Sequence, residues 1–74
     1  SFKGVALRMA SFRSATLVGA DFTGCDGKGA TFQDADLTRA RFGGARLRRS
    51  TFSGAQLRYQ ETIPDGESAE AVGR

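Results

Sequence analysis

The segment at residues 23–32, TGCDGKGATF, holds residue types that could do chemistry. It contains three glycines, a lysine between two of them, and the single cysteine of the chain. A glycine-rich loop with a lysine binds phosphate when Ser or Thr follows the lysine and a helix begins there. Here Gly29 follows Lys28. The motif is incomplete, and the sequence favours a degenerate repeat over a phosphate loop.

Other catalytic combinations are also incomplete. The chain has no histidine, so Cys25 has no imidazole base and a Cys/His zinc site is excluded. Asp34 and Asp36 could form an acid–base pair, but solvated corner residues are favoured. We therefore expect no enzyme activity, no catalytic residue, no metal and no cofactor. A lone cysteine forms no internal disulfide, which suggests a reducing compartment and a cytoplasmic location.

These residues belong to a chain with a strict five-residue period. Five is neither the helical period of 3.6 nor the strand period of 2. The pattern predicts short extended segments joined by corners, with four segments closing a coil of about twenty residues. A small residue, most often Ala, precedes each large apolar residue by two positions from Val5 onwards. The large apolar residues are Phe2, Leu7, Phe12, Leu17, Phe22, Phe32, Leu37, Phe42, Leu47, Phe52 and Leu57.

The repeated unit, seen in ADFTG, ADLTR, ARLRR and AQLRY, resembles the pentapeptide-repeat family, whose unit is A(D/N)LXX. The resemblance covers residues 1–60. It implies an all-β fold, a right-handed quadrilateral β-helix of about three coils. It also implies a C-terminal cap and tail at residues 61–74, where ETIPDG resembles the end of such proteins. Ile63 stands where the family often has Trp.

Residues twenty apart should stack in such a coil, which places two Phe columns opposite each other with Leu columns between them. Gly27 replaces an expected leucine, so we predict a local hole or an inward backbone shift there, with Cys25 filling part of the space. Cys25 should be buried and slow to react. The glycines at the last position of many units suit corners that need permissive φ and ψ angles.

Charge is the main indication of a partner. Residues 1–60 carry ten Lys or Arg and four Asp, a net charge of +6, whereas residues 61–74 carry −3. Five basic residues should point outward on one side of the coil, and we call them the basic face. They form either an ordinary polar surface or an anion-binding surface, and any nucleic-acid contact should be weak and sequence-blind. The basic face consists of Arg8, Lys28, Arg46, Arg48 and Arg49.

The leading hypothesis is a non-enzymatic solenoid that serves as a protein-interaction or scaffold module in a larger bacterial protein. The alternative is a DNA mimic that interacts with gyrase, as the best-known members of the resembled family do. That mimicry rests on a long acidic rod, and this short basic chain departs from it. No apolar run is long enough for a membrane span, so we expect no membrane partner.

The two ends of the coil raise a separate expectation. Stacked coils leave unpaired backbone at each end, and no cap is visible at the N-terminus. We therefore expect Phe2 to stack against another element or another copy, which would give end-to-end self-association.

Overall fold

The computed structural model describes residues 1–57, in which residues twenty apart lie directly over one another. We call residues 1–20 coil 1, residues 21–40 coil 2 and residues 41–57 coil 3, with coil 1 uppermost. The predicted cap at residues 61–74 lies outside the described residues. Parallel β-bridges join the coils: Ala6 to Asp26, Ser11 to Thr31, Thr16 to Asp36, Asp21 to Arg41, Asp26 to Arg46, Thr31 to Thr51 and Asp36 to Gln56.

Each bridge is isolated, so residues 1–57 contain neither a continuous strand nor a helix. No regular strand forms in these residues, although the sequence predicted an all-β fold of short extended segments joined by corners. The physical reason is the corner in every five residues, which leaves one bridged residue between successive turns. No helix within the described residues is long and apolar enough to cross a bilayer.

Backbone hydrogen bonds fix the register between coils. We call the third residue of each five-residue unit, usually Phe or Leu, its central residue. The N–H of a central residue donates to the coil below, as Phe22 donates to the Arg41 carbonyl at 2.7 Å. The N–H of the residue before a central residue donates upward, as Asp26 donates to the Val5 carbonyl at 3.0 Å. A slip of one residue would break both sets of bonds and turn the core side chains outward.

A third hydrogen bond closes each corner. The Cys25 N–H donates to the Phe22 carbonyl at 3.1 Å, which is the bond of a β-turn. The residue before each such donor has a positive φ, as position i+2 of a type II turn requires. Six glycines take this conformation, as predicted: Gly4, Gly19, Gly24, Gly29, Gly44 and Gly54. Five other residues take it as well, with φ between 59° and 62°: Met9, Ser14, Asp34, Arg39 and Arg49.

The core is built from two columns of phenylalanine rings. Within a column, rings twenty residues apart are stacked with centroids 4.9–5.2 Å apart and planes within 8° of parallel. Rings of opposite columns meet edge to face at 5.3–5.9 Å, as aromatic quadrupoles favour. Phe22 and Phe32 are fully buried, whereas Phe2 and Phe12 in coil 1 are only partly buried.

Gly27 does not sit beside an empty space. A Cβ built on Gly27 would lie 2.9 Å from Leu47 Cδ2, 3.4 Å from the Arg46 carbonyl oxygen and 3.8 Å from Cys25 Sγ. The leucine of coil 3 and the cysteine thus occupy the space directly beside the glycine. Cys25 fills part of the gap as predicted, and Leu47 fills more of it than the sequence suggested.

Candidate functional site

The basic face exists as a surface. Its five residues are all exposed and lie on the same side of coils 1–3. Lys28 lies between Arg8 and Arg48 in one column, because the Met9 N–H donates to the Lys28 carbonyl and the Gly29 N–H donates to the Arg48 carbonyl. The remaining two arginines, both in coil 3, flank the lower end of this column.

Asp26 is the acid within the basic face. Its Oδ2 accepts a hydrogen bond from Arg8 Nε at 2.8 Å, and its Oδ1 accepts one from the Lys28 N–H at 3.4 Å. The bond from Arg8 contributes most to lowering the pKa of Asp26, followed by the Lys28 N–H and the charges of Arg8 and Arg46, while partial burial opposes the shift. Arg8 is thus already paired.

The pair of Arg8 and Asp26 was not predicted from the sequence. Their spacing could have indicated the pair, because the two residues are eighteen positions apart, two fewer than the twenty residues of one coil. Such a pair lies diagonally across adjacent coils, with one residue after a central position and the other before it. The ion pair is largely exposed at Arg8, whose side chain is 63% accessible, and more enclosed at Asp26, at 27%.

Several short polar residues that precede a central position accept a hydrogen bond from the backbone. Asp21 Oδ1 accepts the Thr23 N–H at 2.9 Å, and Thr31 Oγ1 accepts the Gln33 N–H at 3.3 Å. The N–H two residues onward is the one that the ladder between coils does not use, so a short acceptor satisfies it locally. Much of the aspartate in the repeat is therefore explained by backbone hydrogen bonding.

Asp34 and Asp36 do not form an acid–base pair. Asp36 Oδ1 accepts hydrogen bonds from the Thr38 hydroxyl at 2.6 Å and from the Thr38 N–H at 3.2 Å. Asp34 lies at a corner with φ of 59°, and its carboxyl group lies over Gly54 in coil 3. The two carboxylates therefore contact different residues, Thr38 for Asp36 and Gly54 for Asp34.

The glycine-rich segment does not form a phosphate loop. A phosphate loop needs unpaired backbone N–H groups that converge on the ligand. Here every N–H from residue 23 to residue 30 donates within the protein; for example, Gly24 donates to Gly43, Gly27 to Arg46 and Ala30 to Gly27. No donor in this segment is left for a phosphate.

The cysteine is placed as predicted. Cys25 has no exposed surface and packs in the core. Burial raises the pKa of its thiol, and the neighbouring charge of Asp26 raises it further. Within residues 1–57, no group of three or more His, Cys, Asp or Glu side chains could hold a metal ion.

The chain belongs to the pentapeptide-repeat family. The family model for pentapeptide repeats, which describes eight copies of the repeat, matches residues 6–44 and residues 28–59. The solved structure of a pentapeptide repeat protein from the thylakoid lumen of Arabidopsis thaliana is similar, with 33% sequence identity and a TM-score of 0.63. The match covers 80% of this chain and 44% of that protein, so this chain spans less than half the length of that relative. No curated protein matches.

The structural similarity implies that the stacked coils form the quadrilateral β-helix of this family. That fold accounts for the twenty-residue register and for the four corners in each coil. The basic face is one of its four sides.

Proposed function

We propose that this protein is a non-enzymatic solenoid that acts as a protein-interaction or scaffold module, with the right-handed coil of its family. The main support is that the groups that could do chemistry are hydrogen-bonded within the fold or buried in its core. The N–H groups of the glycine-rich segment donate within the protein, Cys25 is buried, and Asp36 is bonded to Thr38. Because these polar groups form hydrogen bonds within the repeats, the feature that remains for binding a partner is the outer surface of the coils.

The basic face is the side that we assign to the partner. Five basic side chains share it with one aspartate, and that aspartate is paired with Arg8. The basic face also carries the positive charges of Lys28, Arg46 and Arg49. Such a surface fits an acidic protein partner, because complementary charge raises the association rate and fixes orientation.

The experiment is a binding titration with poly-L-glutamate, a defined acidic polypeptide, at low and at moderate salt. We expect binding at low salt that weakens as salt screens the charges. The test variant is Arg46→Ser with Arg49→Ser, which should bind poly-L-glutamate more weakly. Duplex and single-stranded DNA serve as comparison probes, and DNA binding stronger than polypeptide binding would argue against a protein partner.

The chain offers a matched control, Arg39→Ser with Arg41→Ser. Arg39 and Arg49 both occupy corners with φ of 62°, and Arg41 and Arg46 both precede a phenylalanine or leucine centre. The two double variants therefore change net charge and backbone strain alike but differ in location. Equal loss of binding in both would show that net charge alone attracts the probe, and the basic face would lose its assigned role.

The gyrase-interacting DNA mimic is the weaker hypothesis. Mimicry of duplex DNA needs an acidic surface, whereas the basic face carries the opposite charge. Two further expectations stay proposals, membership of a larger bacterial protein and a cytoplasmic location. The single buried thiol supports the second, since it fits a reducing compartment.

A further inference from the structure

Asp26 lies among the cations of the basic face and not at its margin. It forms parallel β-bridges with Ala6 in the coil above and with Arg46 in the coil below. Lys28 follows two positions later on the same side of coil 2, with its side chain exposed. Arg8 lies diagonally above Asp26, in the column of Lys28. An acid therefore occupies the centre of the surface that we assign to the partner.

The pair of Arg8 and Asp26 takes up a donor that a partner would otherwise use. Asp26 Oδ2 accepts the hydrogen bond from Arg8 Nε at 2.8 Å. The side chain of Arg8 is 63% accessible, so a partner can reach it, whereas that of Asp26 is 27% accessible. A partner carboxylate that binds this Nε must displace Asp26. The displaced aspartate would then lie partly enclosed beside a second anion and without its donor, which is unfavourable.

The charge of Asp26 is not needed for the backbone hydrogen bond that this position makes. Asp26 Oδ1 accepts the Lys28 N–H at 3.4 Å, near the limit of a hydrogen bond. At the equivalent position on the adjoining side of the coil, the neutral hydroxyl of Thr31 accepts the Gln33 N–H at 3.3 Å. A short uncharged acceptor therefore suffices for the backbone. The negative charge at position 26 acts instead on the cations around it, and chiefly on Arg8.

We propose that Asp26 regulates the basic face by competing with the acidic partner for Arg8. This inference rests on the proposed function and assigns a regulatory residue within it. Asp26 lowers the affinity for carboxylates, because each complex that includes Arg8 must break an existing ion pair. A partner that binds through Lys28, Arg46 and Arg49 leaves that pair intact. The ion pair thus favours partners whose acidic groups meet the lower part of the basic face.

Titration with poly-L-glutamate at low salt tests the proposal with the variant Asp26→Asn. The variant releases Arg8 and keeps an oxygen for the Lys28 N–H, so it should bind roughly fivefold more tightly than wild type. Its affinity should also fall more steeply with salt, because one more cation contacts the polypeptide. A second variant, Asp26→Thr, introduces the residue type that accepts the equivalent N–H at position 31, and it should give the same gain.

Asp21→Asn is the matched control for net charge. Asp21 also precedes a central residue, forms a β-bridge with an arginine of coil 3 and accepts an N–H two residues onward, but it lies on the adjoining side. The control removes the same charge and should bind poly-L-glutamate within about twofold of wild type. A gain equal to that of Asp26→Asn would show that net charge alone sets the affinity, and it would overturn the proposal.

Two double variants test whether Arg8 is the released group. Asp26→Asn with Arg8→Ser and Asp26→Asn with Arg13→Ser both have the net charge of wild type. Arg8 and Arg13 are both exposed, and both follow a central residue of coil 1. The first double variant should lose the gain of Asp26→Asn, whereas the second should keep most of it. Equal affinities of the two would contradict the role of Arg8.

The same series checks folding and separates this inference from the proposed function. Each variant should retain slow thiol labelling of the buried Cys25, which reports that the coils remain stacked. If one substitution at position 26 speeds the labelling, the other decides. Binding of poly-L-glutamate by wild type, with no gain in the variants at position 26, would overturn this inference and leave the proposed function standing. Absence of binding by wild type and by these variants would overturn both.

Discussion

The Asp26 carboxylate accepts a hydrogen bond from Arg8 Nε at 2.8 Å, and this ion pair ties coil 2 to coil 1 across the basic face. The same aspartate forms a β-bridge with Arg46 in coil 3. Asp26 therefore lies between cations of the coils above and below it. Its negative charge reduces the repulsion that stacked basic side chains would otherwise exert on one another.

Stability should fall in acid because of this aspartate and its counterpart Asp21. The pKa of Asp26 is lowered below 3.8 chiefly by the bond from Arg8, and that of Asp21 chiefly by a hydrogen bond from the Thr23 side chain. A carboxylate whose pKa is lower in the folded state stabilises the fold above its unfolded pKa. That contribution is lost as pH falls from 3.8 through the lower folded value. Thermal melts between neutral and strongly acidic pH measure the effect.

The variant Asp26→Asn provides the control for this pH dependence. It removes the titrating group while keeping an oxygen that can accept the Lys28 N–H, so its stability should change less with pH than that of wild type in the acid range. An NMR titration of the wild type should place the Asp26 midpoint below 3.8. A midpoint at or above that value would contradict the assignment.

The thiol of Cys25 should react slowly with labelling reagents in the folded protein. It has no exposed surface, and burial raises its pKa, so both access and the thiolate fraction are reduced. Labelling kinetics in native buffer and in denaturant give the comparison, and we expect a difference on the order of a hundredfold or more. Similar rates in the two conditions would show that the core around Cys25 opens readily.

The corner at Arg49 carries backbone strain that glycine would relieve. Its φ of 62° lies in the left-handed region, where a Cβ is unfavourable. Arg49→Gly should be more stable than Arg49→Ala by about 1 kcal/mol, after part of the gain is offset by the greater freedom of glycine in the unfolded chain. Both variants lose the same charge, so urea unfolding of the pair isolates the backbone effect. An alanine variant that equals the glycine variant would mean that the corner is not strained.

Leu47 occupies the space beside Gly27, and this determines how a side chain at position 27 should affect the free energy of unfolding. The φ of Gly27 lies outside the left-handed region, so a side chain is not excluded by the backbone. Gly27→Ala should stay within about 1 kcal/mol, because the terminal methyl of Leu47 can rotate away. Gly27→Leu should cost about 1–3 kcal/mol through overpacking.

A double-mutant cycle checks the packing at Gly27. Leu47→Ala alone should cost about 2–5 kcal/mol, since Leu47 is fully buried. In that background Gly27→Leu should become less unfavourable or stabilising, because it fills the vacated space. Additive free energies of unfolding would show that the two side chains do not compete.

The sequence predicted the features that depend on period alone. A spacing of five between large apolar residues was enough to place Phe2 over Phe22 and to direct Cys25 inward, because both follow from the register. It was not enough to predict how Leu47 fills the space beside Gly27, since that depends on a rotamer chosen by the surrounding core. The positive φ at Arg49 also escaped prediction, because closure of the coil overrides the local preference of an arginine.

The pair of Arg8 and Asp26 shows a second limit of sequence interpretation. Grouping residues by side identified the basic face, but it treated its members as equivalent. The structure distinguishes them, because a diagonal partner in the next coil neutralises Arg8. Charge counted along a sequence therefore overstates the charge that a partner would meet.

The twenty-residue register makes the length of an insertion decide its effect. Five residues added between two corners would advance every later side chain by a quarter turn. The basic residues of coil 3 would then lie on the adjoining side of the coil. Twenty residues added at the same place would restore the alignment and lengthen the column by one row. A lineage could therefore enlarge this surface in whole coils or reassign it to another side in single units, without redesigning the core in either case.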